Sequence, residues 1–291
     1  MINPDRTRSN TVGQNSIIKG VALLAPFSLL LLTMILFGGP ASRFFLGIFS
    51  GYEVYKQGPY TILNSEGESS PDWAANTLHQ FTTQIVRNFG GQLHIQDPDP
   101  NTSGIKIYLL ESSDELEKFG LQRMNRDLEH NGGYFLPSKR EIALVLTGNR
   151  EIDQQGLRHE MMHALMYLSR PEVEWPNWFS EGMATFFEDS FSDGTDWHPG
   201  GIPGTSPKRE DPIPIKELLK ARGTEFTSEE NQRFYQSARL LIEFLFRERR
   251  ESLFNFYTRI WNEEGDSAFS KSFGDPSNLE TEWRTYLKNQ K

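Results

Sequence analysis

The sequence predicts an α+β fold, in which a small mixed β-sheet packs on one central helix and a mostly helical carboxy-terminal half follows. Three observations carry this prediction. Residues 105–110 and 141–146 are short apolar runs of the kind that form strands. Residues 156–168 repeat apolar side chains at helical spacing, and the same periodicity returns from residue 228 to the end of the chain.

Local patterns predict the other elements of the amino-terminal half. Residues 59–63 read as a first strand, and residues 113–119 as a short helix. The segment 137–140 separates two strand-like runs, which is the pattern of a hairpin. Ser70 is predicted to cap a helix with Pro71 at its first position. The apolar face of that helix would be Ala74, Leu78, Phe81, Ile85 and Phe89.

A glycine- and proline-rich loop at about 190–214 separates the central part from the helical remainder. Long loops of this kind are often lids or binding loops, so His198 within it could contact a substrate or a metal, or simply be exposed. Beyond the loop, helices are predicted at 228–249, 254–261 and 278–288.

Composition excludes several classes of function. The chain has 291 residues and a formal net charge of −9. This charge argues against nucleic acid as a partner, because neutralising phosphates takes clustered lysine and arginine. The chain has no cysteine, which removes disulfides, thiol catalysis and thiolate metal sites but leaves the redox compartment undecided.

The amino-terminal 50 residues differ from the rest of the chain. Residues 1–15 read as a polar tail, and residues 16–42 as a transmembrane signal anchor. The 23 residues between Lys19 and Arg43 carry no charge, and about 20 predominantly apolar residues suffice to span a bilayer. Residues 52–291 are predicted to form one further domain.

The charges that flank the predicted anchor give its orientation. Arg6, Arg8 and Lys19 precede the apolar stretch, which favours a cytoplasmic amino terminus and an extracytoplasmic remainder. The alternative is a secreted protein whose leader is removed after Ala41, since small residues surround that position.

One motif in the central part suggests chemistry. Residues 159–163 read H-E-x-x-H, and residues four apart on an α-helix lie on one face, one turn apart. His159 and His163 can therefore present two imidazoles to one metal ion. Glu160 would lie beside the coordination position that a catalytic zinc site keeps open for water. The alternative is an amphipathic helix with two incidental surface histidines.

A second stretch offers a third ligand, which a catalytic zinc site needs. Residues 178–188 read W-F-S-E-G-M-A-T-F-F-E, and a helix there would place Glu181, Thr185 and Glu188 on one face. The stretch resembles the W-x-N-E-G-x-A-x-x-x-E segment that follows H-E-x-x-H in gluzincin metallopeptidases, where the first Glu is the third zinc ligand. Ser180 stands where the family favours Asn, a departure that does not fall on a ligand. The alternative for Glu181 is a solvated helix carboxylate.

The resemblance implies a zincin-like metallopeptidase domain over residues 52–291, with Zn²⁺ as the cofactor. His159, His163 and Glu181 would bind the metal. Glu160 would be catalytic, as the general base that takes a proton from water and passes it to the leaving amine.

The resemblance also implies roles for other residues. Residues 234–238 look like a segment of exported bacterial proteins with a peptidase-MA-like domain, and related gluzincins place a Tyr or His here as an oxyanion donor. Tyr235 would then be catalytic. In gluzincins the strand before the motif helix forms the edge on which a peptide lies, so residues 142–146 are the candidate edge; an ordinary core strand is the alternative. Apart from the resemblance, Thr185 and Glu188 lie one and two turns beyond Glu181 and are candidates for holding a histidine N–H; the alternative is that either is a plain surface residue.

Taken together, the sequence predicts a membrane-anchored, exported zinc peptidase that acts on a protein or peptide substrate, with endopeptidase action favoured. The alternative is a non-catalytic exported binding or scaffold domain stabilised by zinc, which the intact Glu160 and Glu181 argue against. A metzincin is excluded, because Met166 and Ser169 replace the Gly and His that it needs. An intramembrane protease is excluded because the motif lies far from the apolar segment.

Overall fold

The structure is a computed structural model that describes residues 52–65, 71–99, 104–125, 132–192, 196–201, 211–221 and 228–290. The predicted polar tail, residues 1–15, and the predicted signal anchor, residues 16–42, lie outside the described residues. Among the helices that are described, none is both long and apolar enough to cross a membrane.

A five-stranded mixed sheet forms the amino-terminal half. Its strands lie in the order β1-β2-β3-β5-β4, with β2, β3 and β5 parallel and β4 antiparallel to β5. The three parallel strands are buried almost throughout, as strands covered on both faces must be. Their bounds are Tyr52–Gln57 (β1), Tyr60–Ser65 (β2), Ile105–Leu110 (β3), Gly133–Leu136 (β4) and Glu141–Val145 (β5).

Nine helices and a second, two-stranded sheet complete the described part of the chain. The helices are Asp72–Leu93 (α1), Ser113–Met124 (α2), Arg150–Ser169 (α3), Asn177–Glu188 (α4), Ile215–Leu218 (α5), Ser228–Glu248 (α6), Arg250–Arg259 (α7), Gly265–Phe273 (α8) and Pro276–Asn289 (α9). The small sheet pairs Phe191–Ser192 (β6) with Trp197–His198 (β7).

Side-chain alternation places helices on both faces of the main sheet. Ile107 and Ile142 belong to the main hydrophobic core with residues of α1 and α3. Tyr108 points the other way and packs on Phe119 of α2, with ring centroids 5.2 Å apart. Helix α3 therefore lies on one face of the sheet beside β4 and β5, and α2 lies on the other.

The position of the sheet edge corrects one expectation. Residues 142–146 were the candidate edge, but β5 is paired on both sides, by β3 and by β4. The edge beside α3 is instead β4. The reason is the hairpin itself, since the antiparallel return at 137–140 folds β4 over the free side of β5.

The register identifies which backbone groups of β4 face outward. The Val145 N–H donates to the carbonyl of Gly132 at 2.9 Å, so these two residues bond across the ladder. In an antiparallel pair, hydrogen-bonded and non-hydrogen-bonded positions alternate. Gly133 and Phe135, which lie opposite Leu144 and Ile142, therefore turn their N–H and C=O groups away from β5.

Most predicted elements are present with shifted ends. The α+β class and the helical carboxy-terminal half are confirmed, as are the strand at 105–110 and the hairpin. The predicted face of α1 is buried throughout, but Pro71 occupies the cap position rather than the first helical turn, and Ser70 lies outside the described residues. Strand β1 and helices α5 and α8 were not predicted. Helix α2 extends to Met124, beyond the predicted end at residue 119.

Candidate metal centre

The helix that carries the H-E-x-x-H motif begins at a clear signal. The Asn149 side chain accepts a hydrogen bond from the N–H of Glu151 at 3.1 Å, which caps α3. Residues of the opposite face are buried: Leu157, Met161, Ala164 and Leu165. This burial fixes the rotation of α3, so His159 and His163 lie together on the side that faces α4.

Helix α4 reaches the histidines because α6 packs closely on its other side. A Cβ atom on Gly182 would lie 2.7 Å from Ile242 and 2.8 Å from the carbonyl of Ala238, both on α6. Only glycine permits this close approach of the two helices. The packing brings Glu181 from α4 and Tyr235 from α6 toward the same side of α3.

His159, His163 and Glu181 form a triangle of ligand atoms. The two Nε2 atoms lie 3.2 Å apart, and each lies 3.4 Å from Oε2 of Glu181. Ligands about 2.0–2.1 Å from one tetrahedral zinc would be about 3.3 Å apart. The three side chains thus form a group that could hold a metal ion, with spacing that fits zinc.

Each histidine is oriented through its second nitrogen. Nδ1 of His159 lies 2.7 Å from Oε2 of Glu188, and Nδ1 of His163 lies 3.0 Å from Oγ of Ser180. A carboxylate only accepts, so His159 donates from Nδ1 and keeps the lone pair of Nε2 for a metal. The prediction that Glu188 holds a histidine N–H is therefore confirmed.

The charges within the triangle stabilise one another. Burial lowers the pKa of His159, but hydrogen bonds to Glu181 and Glu188 outweigh it and raise that pKa well above its usual value. Burial raises the pKa of Glu181, but the charge of His163 and the hydrogen bonds from both histidines hold it far below the usual value. The arrangement favours positive charge where a cation would bind.

Glu160 is buried beside the triangle and next to the sheet edge. A Cβ atom on Gly133 would lie 3.1 Å from Oε1 of Glu160, so β4 contacts this carboxylate only because residue 133 has no side chain. Burial raises the pKa of Glu160, although the charges of His159 and His163 oppose the shift. A carboxylate whose pKa is raised toward neutrality suits proton transfer.

Tyr235 also lies at this site. Its ring centroid is 6.4 Å from that of His159, and it lines the cavities on both sides of the triangle together with His159 and Glu160. Burial and the charges of Glu181, Glu160 and Glu188, in that order, raise its pKa. Its hydroxyl therefore stays protonated and can donate a hydrogen bond.

Two candidates take no part in the triangle. The Thr185 hydroxyl is buried without a hydrogen-bond partner in the described part of the chain, and both histidine Nδ1 atoms have other partners. The prediction that Thr185 holds a histidine N–H is therefore wrong. His198 stacks on Phe191 across the small sheet, with centroids 4.7 Å apart. Among the described residues, the group that could hold a metal ion does not include His198.

Sequence reasoning missed two contacts near the histidines. Ser180 was treated as a departure away from the ligands, but its hydroxyl orients His163. Arg158 donates from Nε to the carbonyl of Glu188 at 2.6 Å and ties α3 to the end of α4. Position 180 directly precedes Glu181, the predicted third ligand, which could have drawn attention to it. Whether Ser180 and Arg158 reach their partners depends on the angle at which α3 and α4 cross.

No protein-family model matches the chain, and no curated protein matches it either. The functional assignment therefore rests on the residues of the site and on their geometry.

Proposed function

We propose that this chain is a zinc-dependent peptidase of the gluzincin type with a zincin-like fold. The observation that carries the proposal is the triangle of His159, His163 and Glu181, whose ligand atoms have the spacing that tetrahedral zinc requires. A buried carboxylate, Glu160, adjoins it. Three ligands with a carboxylate beside them are what a catalytic zinc site with one position left for water would need.

Zinc held by the triangle would supply a water of lowered pKa and would polarise the scissile carbonyl. Glu160 holds its carboxylate beside the histidines and against β4, where it can take the proton of that water and return it to the leaving amine. Its burial keeps bulk water from competing for this proton.

The position of β4 at the edge of the sheet, where a cavity borders it, supports a peptide as the substrate. Gly133 and Phe135 turn their backbone N–H and C=O groups outward, and Gly133 lies against Glu160. An extended peptide could pair with this edge as an added strand. Its backbone would then pass Glu160, which brings a scissile bond close to the general base.

Tyr235 would complete the catalytic set. Tyr235 belongs to α6, has its ring 6.4 Å from that of His159, and lines the cavities that a substrate would occupy. A hydrogen-bond donor at such a place stabilises the negative charge that develops on the carbonyl oxygen. We assign this role to Tyr235.

The proposal retains the predicted location. The apolar residues 16–42 would anchor the chain in the membrane, with residues 52–291 on the extracytoplasmic side and a secreted, processed form as the alternative. Endopeptidase action is proposed because the sequence upstream of His159 has no G-x-M-E-N segment of the aminopeptidase type.

The test joins metal analysis to digestion of a peptide library by the full-length chain. We expect about one Zn²⁺ per chain, cleavage of some peptides, loss of cleavage when a chelator removes the metal, and recovery when zinc is restored. Protein that purifies without metal and takes up none on titration would contradict the metal site. Protein that binds zinc fully but cleaves nothing would favour the scaffold alternative.

A further inference from the structure

Two cavities open beside the proposed metal centre, and their linings differ. One, of about 370 Å³, adjoins the amino-terminal half of α3 and includes Ile152. The other, of about 390 Å³, runs along β4 and the carboxy-terminal half of α3. We name it the aromatic cavity because four aromatic residues, Tyr134, Phe135, Tyr167 and Trp175, line it in addition to Tyr235, which lines both cavities.

The walls of the aromatic cavity are held in place by other rings. Trp175 stacks on Tyr257, with centroids 4.6 Å apart and planes 27° apart, and on Phe179, with centroids 5.8 Å apart. Phe135 packs edge to face on Tyr167 at 5.9 Å. A cavity whose walls are already packed loses little conformational freedom when a ligand enters.

The cavity is continuous with the site of chemistry. Glu160, His163 and Glu181 line it together with these aromatic residues. It also borders Phe135, whose backbone faces outward from the sheet edge. Since side chains along an extended peptide alternate between two sides, a peptide paired with β4 has a residue near the scissile bond whose side chain can enter this cavity.

We propose that the aromatic cavity selects substrates with an aromatic side chain next to the scissile bond. The proposal rests on the peptidase function and deepens it. Rings attract one another edge to face beyond the effect of area alone, so Phe or Tyr gains more here than Leu. A substrate carboxylate would meet Glu160 and Glu181. A lysine ammonium would lose its hydration on entering the cavity. Glu160 and Glu181 would not compensate for this loss, because their carboxylates face the histidines.

The test measures binding rather than turnover. The full-length chain with Glu160→Gln, which does not consume the ligand, is titrated calorimetrically with blocked pentapeptides. These are acetyl-Ala-Ala-Phe-Ala-Ala-amide and its counterparts with Leu, Lys or Ala at the centre. We expect the Phe peptide to bind about tenfold more tightly than the Ala peptide, with the Leu peptide between them and the Lys peptide close to Ala.

Variants locate the effect in the aromatic cavity. Tyr167→Ala should reduce the Phe-to-Ala ratio to about threefold or less, and Tyr167→Leu, which removes the ring but keeps an apolar side chain, serves as the second variant in case the first unfolds. Ile152→Ala is the matched control, because Ile152 lines the other cavity and is 49% exposed. It should leave the ratio unchanged.

Several results would overturn the proposal. They are equal affinity for the Phe and Ala peptides, tightest binding of the Lys or Leu peptide, no measurable binding of any peptide, or a ratio that falls with Ile152→Ala and not with the tyrosine variants. The peptidase function fails separately, when wild-type protein with zinc cleaves no library peptide. A Phe preference in the Glu160→Gln protein would then still support an aromatic side-chain site.

Discussion

Two buried carboxylates on the same frame of sheet and helix have opposite surroundings. Glu141, at the start of β5, is 2% exposed and lies 3.2 Å from Nη1 of Arg123 and 3.7 Å from Nζ of Lys106. The Tyr108 hydroxyl donates to it as well, at 3.4 Å. Glu160, on α3, is 8% exposed and forms no ion pair with lysine or arginine in the part of the chain that the structure describes.

The difference separates a structural carboxylate from a functional one. Around Glu141, two cations and a hydroxyl offset the cost of burying the charge, and together they tie α2 to β3 and β5. Around Glu160, the cost of burial is not offset in this way and appears as a raised pKa. A buried carboxylate without a lysine or arginine partner weakens a fold, so such a group is a candidate for a functional role. The proposed general base has such a role.

The largest expected effect comes from Glu160→Gln. Gln keeps the shape of Glu but cannot accept the proton of a water, and loss of a general base costs about 10²–10⁴-fold in rate. Zinc occupancy should stay complete. The melting temperature should be equal or higher, because an amide is less costly to bury than a carboxylate. Activity is measured on a peptide from the library digest, and zinc by elemental analysis.

Two outcomes would break the comparison at this position. Equal rates for wild type and Glu160→Gln would mean that Glu160 is not the base. A marked loss of stability in Glu160→Gln would mean that the carboxylate has a structural partner after all, and the contrast with Glu141 would disappear.

The same change at the other carboxylate should do the reverse. Glu141→Gln leaves Arg123, which is 17% exposed, without its charge partner. Breaking a buried pair costs about 3–5 kcal/mol, and partial solvation of Arg123 and Lys106 reduces this to about 2–3 kcal/mol. The melting temperature should fall by several degrees, while zinc content and kcat stay at wild-type values.

Two results for Glu141→Gln would contradict this prediction. A variant of full stability would show that the cations around Glu141 do not stabilise the fold. A variant that lost zinc or activity while remaining folded would show that the two carboxylates are coupled through the sheet, since Glu141 is on β5 and Glu160 contacts Gly133 of the paired strand β4.

This contrast was only half visible in the sequence. H-E-x-x-H and the downstream Glu fix the spacing of His159, His163 and Glu181 along their helices, and spacing along a helix is local information. Glu141 gave no such signal, because its partners come from positions 106 and 123 and meet it only once β3 and α2 pack on β5. Pairing between distant segments is what the sequence could not specify.

The same limit explains the misplaced edge and the two misjudged side chains near the histidines. The hairpin at 133–145 was predicted from its turn, but whether β4 or β5 would be left open depended on β3, which is distant in sequence. Ser180 and Thr185 both lie near Glu181 on α4, yet only Ser180 reaches a histidine. The angle at which α4 crosses α3 decides this, and Gly182 allows that packing from behind.

A third carboxylate, Glu188, sharpens the comparison, because its partner is a histidine rather than arginine or lysine. It accepts from Nδ1 of His159 at 2.7 Å, whereas the neutral Ser180 faces Nδ1 of His163 at 3.0 Å. Hydrogen bonds to a charged acceptor are about twice as strong as neutral ones. Partners of this kind typically contribute about 10–100-fold to metal affinity.

Glu188→Ala should therefore weaken zinc binding toward the upper end of that range, about 100-fold, and Ser180→Ala toward the lower end, about tenfold. Competition with a chelator of known affinity measures both. Thr185→Val is the matched control on the same helix: its hydroxyl has no partner in the described part of the chain, so zinc affinity should not change.

A larger loss from Ser180→Ala than from Glu188→Ala would show that the charge of Glu188 adds nothing at His159. An equal loss from Thr185→Val would show that the effects arise from repacking of α4. The ordering Glu188, then Ser180, then Thr185 follows only if charge and direct contact with a ligand determine how strongly each side chain supports the metal.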